Sequence, residues 1–220
     1  MADDFNVPMA FEAIMVLARR CIGIIVLLVV ALTCLNTALD YYYADEAWSG
    51  ILSGIADLVL CYLLANALAE HSGLTEGGRN GPGFPAYFGL SLIEGIAVGI
   101  ATLFLLIPGI LLSVKWIFSF PILFDRDKSD SVSDALSGSW DLTSGRFGAL
   151  FTVYLVSVVP MILGLVTYAL FDPAEQSLYL AQVVAANFFL AVGVVSSMLA
   201  AFGCYLLVRG DAETLSDIFA

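Results

Sequence analysis

Positive charge is what this chain has least of. Its 220 residues carry eight Lys and Arg and a single His against twenty Asp and Glu, for a net charge of −12. So few cations build no patch that could neutralise a phosphate backbone, which excludes nucleic acid as a partner. His71 is expected alone in a flexible loop: without a second histidine or a nearby acidic cluster no metal site is expected, and the many serines have no other histidine to serve as a base. No Gly-x-Ser-x-Gly elbow occurs. The glycines of 73–83 follow no strand and precede no Lys-Ser or Lys-Thr, which excludes a phosphate-binding loop. Cys21, Cys34, Cys61 and Cys204 lie inside or at the ends of apolar runs without close spacing, so they read as reduced core residues. The acidic residues are scattered and read as a solvated surface. Asp125, Asp127 and Asp130 could be drawn as a divalent site but read as a solvated loop.

What is present is apolar. At 60% hydrophobic residues, only 13% charged residues and a mean hydropathy of +0.95, the chain cannot cover a water-facing surface. Bilayer is its solvent. The expectation is an all-α, polytopic fold with six transmembrane helices at approximately 21–39, 49–69, 86–106, 110–124, 148–171 and 181–208. All belong to one integral membrane domain over 1–220. No small-x-small cleavage site precedes Asp40 and no lipobox surrounds Cys34, so the first span reads as uncleaved. Before it, Phe11, Ile14, Met15 and Ala18 have helical spacing and suit an interfacial helix or an extension of the span.

The scarce cations orient the chain. Arg19, Arg20, Arg79, Arg126, Lys128, Arg146 and Arg209 all fall in alternate gaps, and the opposite gaps carry none. Basic residues in short loops resist translocation, so both termini are expected in the cytoplasm of a bacterial inner membrane. The outer gap at 40–48 holds Tyr41, Tyr42, Tyr43 and Trp48, suited to an aromatic belt. Pro108 and Gly109 interrupt a run of two crossing lengths, and a tight hairpin turning there near the outer face is expected. A single kinked helix, the alternative, would put Arg126, Lys128 and Arg146 outside. The fourth span is then short and must thin the bilayer locally or tilt little. Ser131 and Asp134 have capping-box spacing, so a short interfacial helix is expected at approximately 131–143 between spans four and five.

Ionisable groups at membrane depth need a partner or a purpose. Three qualify: Asp57, Glu94 and Lys115. Counting from the outer ends of their spans places Asp57 and Lys115 at roughly 10 Å depth, so they are expected to pair ahead of Glu94 with Lys115. The bland reading is an ion pair that sets helix register; the other is passage of a proton or solute. Asn36, Asn66 and Asn187 read as interhelical hydrogen-bond formers. Gly50 with Gly54, Gly95 with Gly99, and Gly193 with Ser197 and Ala201 read as close helix contacts within the monomer.

Leu106-Ile107-Pro108-Gly109-Ile110, then Trp116, Pro121, Ala135-Leu136, Ser139-Trp140 and Leu142-Thr143-x-Gly145, form an ordered series over the central third. In it the chain resembles the glycerophosphoryl diester phosphodiesterase membrane-domain family and related uncharacterised bacterial inner-membrane proteins. The resemblance implies a polytopic helical fold. It implies no hydrolysis, which in fused members belongs to a separate soluble barrel that this chain is too short to contain.

With no catalytic group, no metal site and no cofactor expected, the leading expectation is a non-enzymatic scaffold or a factor in envelope and lipid homeostasis. Its partners would be membrane lipids and a membrane protein or a second copy. The alternative is a small-solute, lipid or proton-coupled transporter or channel using Asp57, Glu94 and Lys115. A lesser alternative is an intramembrane enzyme acting on lipid.

Overall fold

A computed structural model of the chain describes residues 5–43, 46–75, 82–125, 131–170 and 176–209, without the side chains of 47 and 176–178. Arg79, Arg126, Lys128, Asp127 and Asp130, used in the topological and metal-site readings, lie outside the described residues. Among those described, all regular structure is helical: α1 (Val7–Arg20), α2 (Ile22–Tyr42), α3 (Ala47–His71), α4 (Phe84–Phe104), α5 (Leu106–Lys115), α6 (Ser119–Phe124), α7 (Val132–Thr143), α8 (Phe147–Ala169) and α9 (Gln176–Arg209). Six helices are long and apolar enough to cross a membrane: Ile22–Tyr42, Trp48–His71, Phe84–Phe104, Leu106–Phe124, Phe147–Ala169 and Tyr179–Arg209. The fold is that of a six-span, all-α membrane protein. Its outward faces are studded with bare Ile, Leu, Val and Phe side chains, as lipid-facing helices are.

The chain divides into two compact units. The first comprises residues 1–21, 65–154 and 199–220, and the second 22–64 and 155–198.

In the first unit α1 is a helix of its own. Asn6 caps it by accepting from Met9 N–H at 2.9 Å, and the break at Cys21 separates it from α2. Its buried face of Ala10, Ala13 and Leu17 accompanies a close approach of Ile14 to Gly203 of α9, where a Cβ would lie 2.8 Å from the Ile14 side chain. Phe118, Phe124, Phe202 and Tyr205 form an aromatic core beside Leu68, Leu90 and Leu150. At its edge Asp125 is fully buried, accepting from Tyr205 Oη at 2.5 Å and pairing with Arg209 Nε at 3.2 Å. His71, expected in a loop, is the last residue of α3, with Nδ1 2.8 Å from the Ala67 carbonyl.

The hairpin between α4 and α5 turns three residues earlier than the sequence suggested. Leu105 is extended (φ −156°, ψ 130°) and breaks the helix, while Pro108 sits in the first turn of α5, where its missing N–H is not needed. Gly109 serves close packing instead: a Cβ there would lie 2.0 Å from Thr102 Oγ1 of α4. The fourth span is also interrupted, since α5 stops at Lys115 and α6 starts at Ser119.

In the second unit α2 and segments of α3, α8 and α9 pack together. Gly164 and Gly193 bring α8 and α9 into backbone contact, because added Cβ atoms would lie 2.9 Å from Ala186 O and 2.6 Å from Met161 N. Ser196 Oγ donates across the same crossing to Ser157 O at 2.6 Å. Gly193 thus makes the contact its spacing suggested. Gly50, Gly54, Gly95 and Gly99 do not, since a Cβ on any of them meets open space. Small residues permit close approach, but a neighbour must be there to use it.

Candidate functional site

Residues four apart share one face of a helix, and two such pairs face each other in the second unit. Asn36 and Asp40 come from α2, and Ser53 and Asp57 from α3. Ser53 Oγ donates to Asn36 Oδ1 at 2.8 Å, and Asn36 Nδ2 donates to Asp57 Oδ1 at 3.0 Å. Two more helices complete the cluster. Tyr168 of α8 donates its phenolic hydrogen to Asp40 Oδ2, and the buried Asn187 of α9 donates Nδ2–H to the same oxygen at 2.9 Å. Tyr179 Oη donates to the Asp40 carbonyl at 3.4 Å.

These side chains line a cavity of about 420 Å³ whose apolar wall includes Leu32, Cys61, Leu190 and Val194. A second cavity of about 210 Å³ is lined by Ser49, Thr167, Tyr179 and Gln182. Asp40 and Tyr168 line both, so their hydrogen bond stands between the two spaces. The Gln182 Oε1 atom is buried without a hydrogen-bond partner among the described residues.

The charge of this unit is one-sided. Residues 22–64 and 155–198 contain no Lys, Arg or His, so Asp40 and Asp57 face the cavity with no cation in their own unit. Amide and hydroxyl donors hold both carboxylates, and oxygens crowd the cavity wall. Such a lining favours a positively charged guest and repels an anion.

The other intramembrane candidates, Glu94 and Lys115, lie in the first unit and are not paired with each other among the described residues. Asp57 bonds to Asn36, and Glu94, half-buried on α4, accepts a hydrogen bond from Ser119 Oγ. Lys115 Nζ donates to Ser144 Oγ at 3.3 Å and lies 5.1 Å from the centre of the Trp140 ring. Within the first unit, α5 ends at Lys115. The lysine is thereby delivered to Ser144 at the α7–α8 junction. Glu94 keeps the short-range partner that the start of α6 gives it.

The signature residues prove to be stitching. Ser139 of α7 is fully buried; its Oγ accepts from Phe118 N–H at 3.0 Å and donates to Lys115 O at 2.9 Å. Thr143 Oγ1 reaches the same carbonyl at 3.5 Å. Together they satisfy backbone groups orphaned by the break between α5 and α6. Trp116 is the C-cap of α5, and Pro121 lies in the first turn of α6. Ala135 is fully buried, Leu136 and Leu142 are half-buried, and Trp140 is 47% exposed. Gly145 has φ +85°, a left-handed turn from α7 into α8 that side chains resist. Ser131 Oγ caps α7 by accepting from Asp134 N–H at 3.2 Å, as the spacing predicted.

No group of three His, Cys, Asp or Glu residues able to hold a metal is present among the described residues. Asp125, drawn into the divalent-site reading, is already engaged with Arg209 and Tyr205. Asp40 and Tyr168 were missed by the sequence reading. Asp40 closes an apolar run beside three tyrosines and reads as an interfacial residue, yet it stands four residues after Asn36, the face-sharing interval. No family model, curated protein or solved structure matches the chain.

Proposed function

We propose that this protein recognises a small cationic solute within the membrane and belongs to the transporter or channel class. The observation that carries this reading is a cavity of about 420 Å³ bearing two carboxylates in a unit whose sequence has no Lys, Arg or His. Sites for small molecules commonly measure about 300–1,000 Å³, so the space suits an organic ammonium compound better than a bare ion. Its ammonium hydrogens would go to Asp57 and Asp40, and the Tyr168 ring offers a cation a favourable face. The basic residues at 19, 20, 79, 126, 128, 146 and 209 support a bacterial cytoplasmic membrane location with both termini inside. On that topology the Asp40 end of the cavity lies towards the outer side, where α2 ends and α3 begins.

The scaffold and lipid-homeostasis reading keeps a place in the first unit, where Ser139 and Thr143 of the signature hold backbone together. In purified full-length protein, a panel of small ammonium compounds should raise the thermal midpoint in a concentration-dependent way. Asp57→Asn and Asp40→Asn should each weaken that response about tenfold or more, the usual scale for loss of a charged hydrogen-bond partner. Equal responses in wild type and both variants would remove the cavity from consideration.

A further inference from the structure

We propose that the first unit carries a separate binding site for the phosphodiester of an anionic phospholipid, formed by Lys115, Ser144, Trp140 and Arg146. Lys115 is a cation that no carboxylate among the described residues neutralises. It is held by a hydroxyl and an indole face. Arg146 follows two residues after Ser144 and spends one guanidinium hydrogen on the Leu142 carbonyl at 3.3 Å, leaving others free to donate. Ser144 and Trp140 are exposed, four residues apart on one face of α7 and its cap. The Ser144 hydroxyl gives its own hydrogen to the Trp140 carbonyl at 3.0 Å and serves to hold the lysine in place, so the group offers two positive charges and an amphipathic ring, the chemistry that takes a phosphate oxygen at a membrane surface.

The length of one helix puts this group at such a surface. α8 starts at Phe147, directly after Arg146, and its 23 residues rise about 34 Å, enough to cross a hydrocarbon core of about 30 Å. Ser144 therefore stands at one edge of the core, and a Lys115 amine within 3.3 Å of it stands there too. From that edge α5 carries Leu111 and Ile107 at intervals of four residues on the face of Lys115, 42% and 70% exposed. A cation at the interface continued into the core by an apolar stripe matches a headgroup with its acyl chain. Free phosphate would use only the first part.

The negative charge is required of the ligand. A phosphatidylcholine headgroup presents a quaternary ammonium to the same two cations and cancels the attraction, whereas phosphatidylglycerol does not. The site shares no residue with the cavity of the second unit, so it stands or falls independently of the cation reading.

Native mass spectrometry of the full chain in detergent, titrated with phosphatidylglycerol, phosphatidylcholine or inorganic phosphate, tests the assignment. Phosphatidylglycerol should bind at least about tenfold more tightly than phosphatidylcholine, and excess inorganic phosphate should leave it bound. Lys115→Gln should abolish the preference while Lys115→Arg keeps it. Arg146→Gln should weaken it, providing a second reading should Lys115→Gln fold poorly. Equal binding of the two lipids, displacement by phosphate, or an undiminished preference in both the Lys115→Gln and Arg146→Gln proteins would overturn the proposal.

Discussion

Ser139 shows how much one hydroxyl can hold in a chain with little polar material. It serves both sides of a helix break, receiving the Phe118 N–H and returning its own hydrogen to the Lys115 carbonyl, in a place no water reaches. Ser139→Ala should therefore cost about 2 kcal/mol, because an unsatisfied buried backbone group costs about 1–3 kcal/mol. Thermal or denaturant unfolding in detergent would read the loss, and an unchanged midpoint would mean the break is satisfied otherwise. The sequence singled out Ser139 through an ordered motif but gave no hint of a capping role, since its acceptor lies 24 residues away. It singled out Asp57 through the cost of charge at membrane depth, and the structure gives that aspartate an amide partner, Asn36. Asp40 escaped notice because at the end of an apolar run a carboxylate costs little and reads as solvated. Its significance is conferred by Tyr168 and Asn187, both more than a hundred residues away.

Elements follow from local rules with few exceptions, and the exceptions carry packing information. Hydropathy fixes six long helices because a membrane demands continuous backbone pairing within each span. Boundaries set by capping, as at Ser131, are local and legible. The α4–α5 turn is not, since Pro108 and Gly109 punctuate a helix start and a close contact as readily as a turn. Small-residue spacing is likewise ambiguous in sequence, and the structure separates the cases. Gly193→Leu would drive a side chain into the Met161 backbone and should destabilise by about 2–3 kcal/mol, in the range for overpacking. Gly50→Leu meets open space and should stay within about 0.5 kcal/mol of wild type. Paired unfolding measurements decide between them, and equal effects at the two positions would contradict the α8–α9 crossing.

For the molecule as a whole, charge distribution orients and polar clustering divides labour. Seven of eight Lys and Arg residues sit in alternate gaps, and all eight lie outside the stretches that build the second unit. A cysteine introduced at Tyr42, at the end of α2, should react with a membrane-impermeant maleimide from outside intact cells. One at Ser137 in α7 should not, and the reverse pattern would invert the topology. The sequence carried the fold class and the span count. It could not assemble the cavity, whose walls come from four helices meeting only in three dimensions.

The central claim is that these walls select positive charge. Isothermal titration of the purified protein in lipid nanodiscs with a small primary ammonium compound tests it most directly, with the neutral amide analogue as control. The account predicts saturable binding of the ammonium compound alone, lost in the Asp40→Asn, Asp57→Asn double variant. Binding of the neutral analogue with equal affinity, or binding that survives removal of both carboxylates, would contradict it.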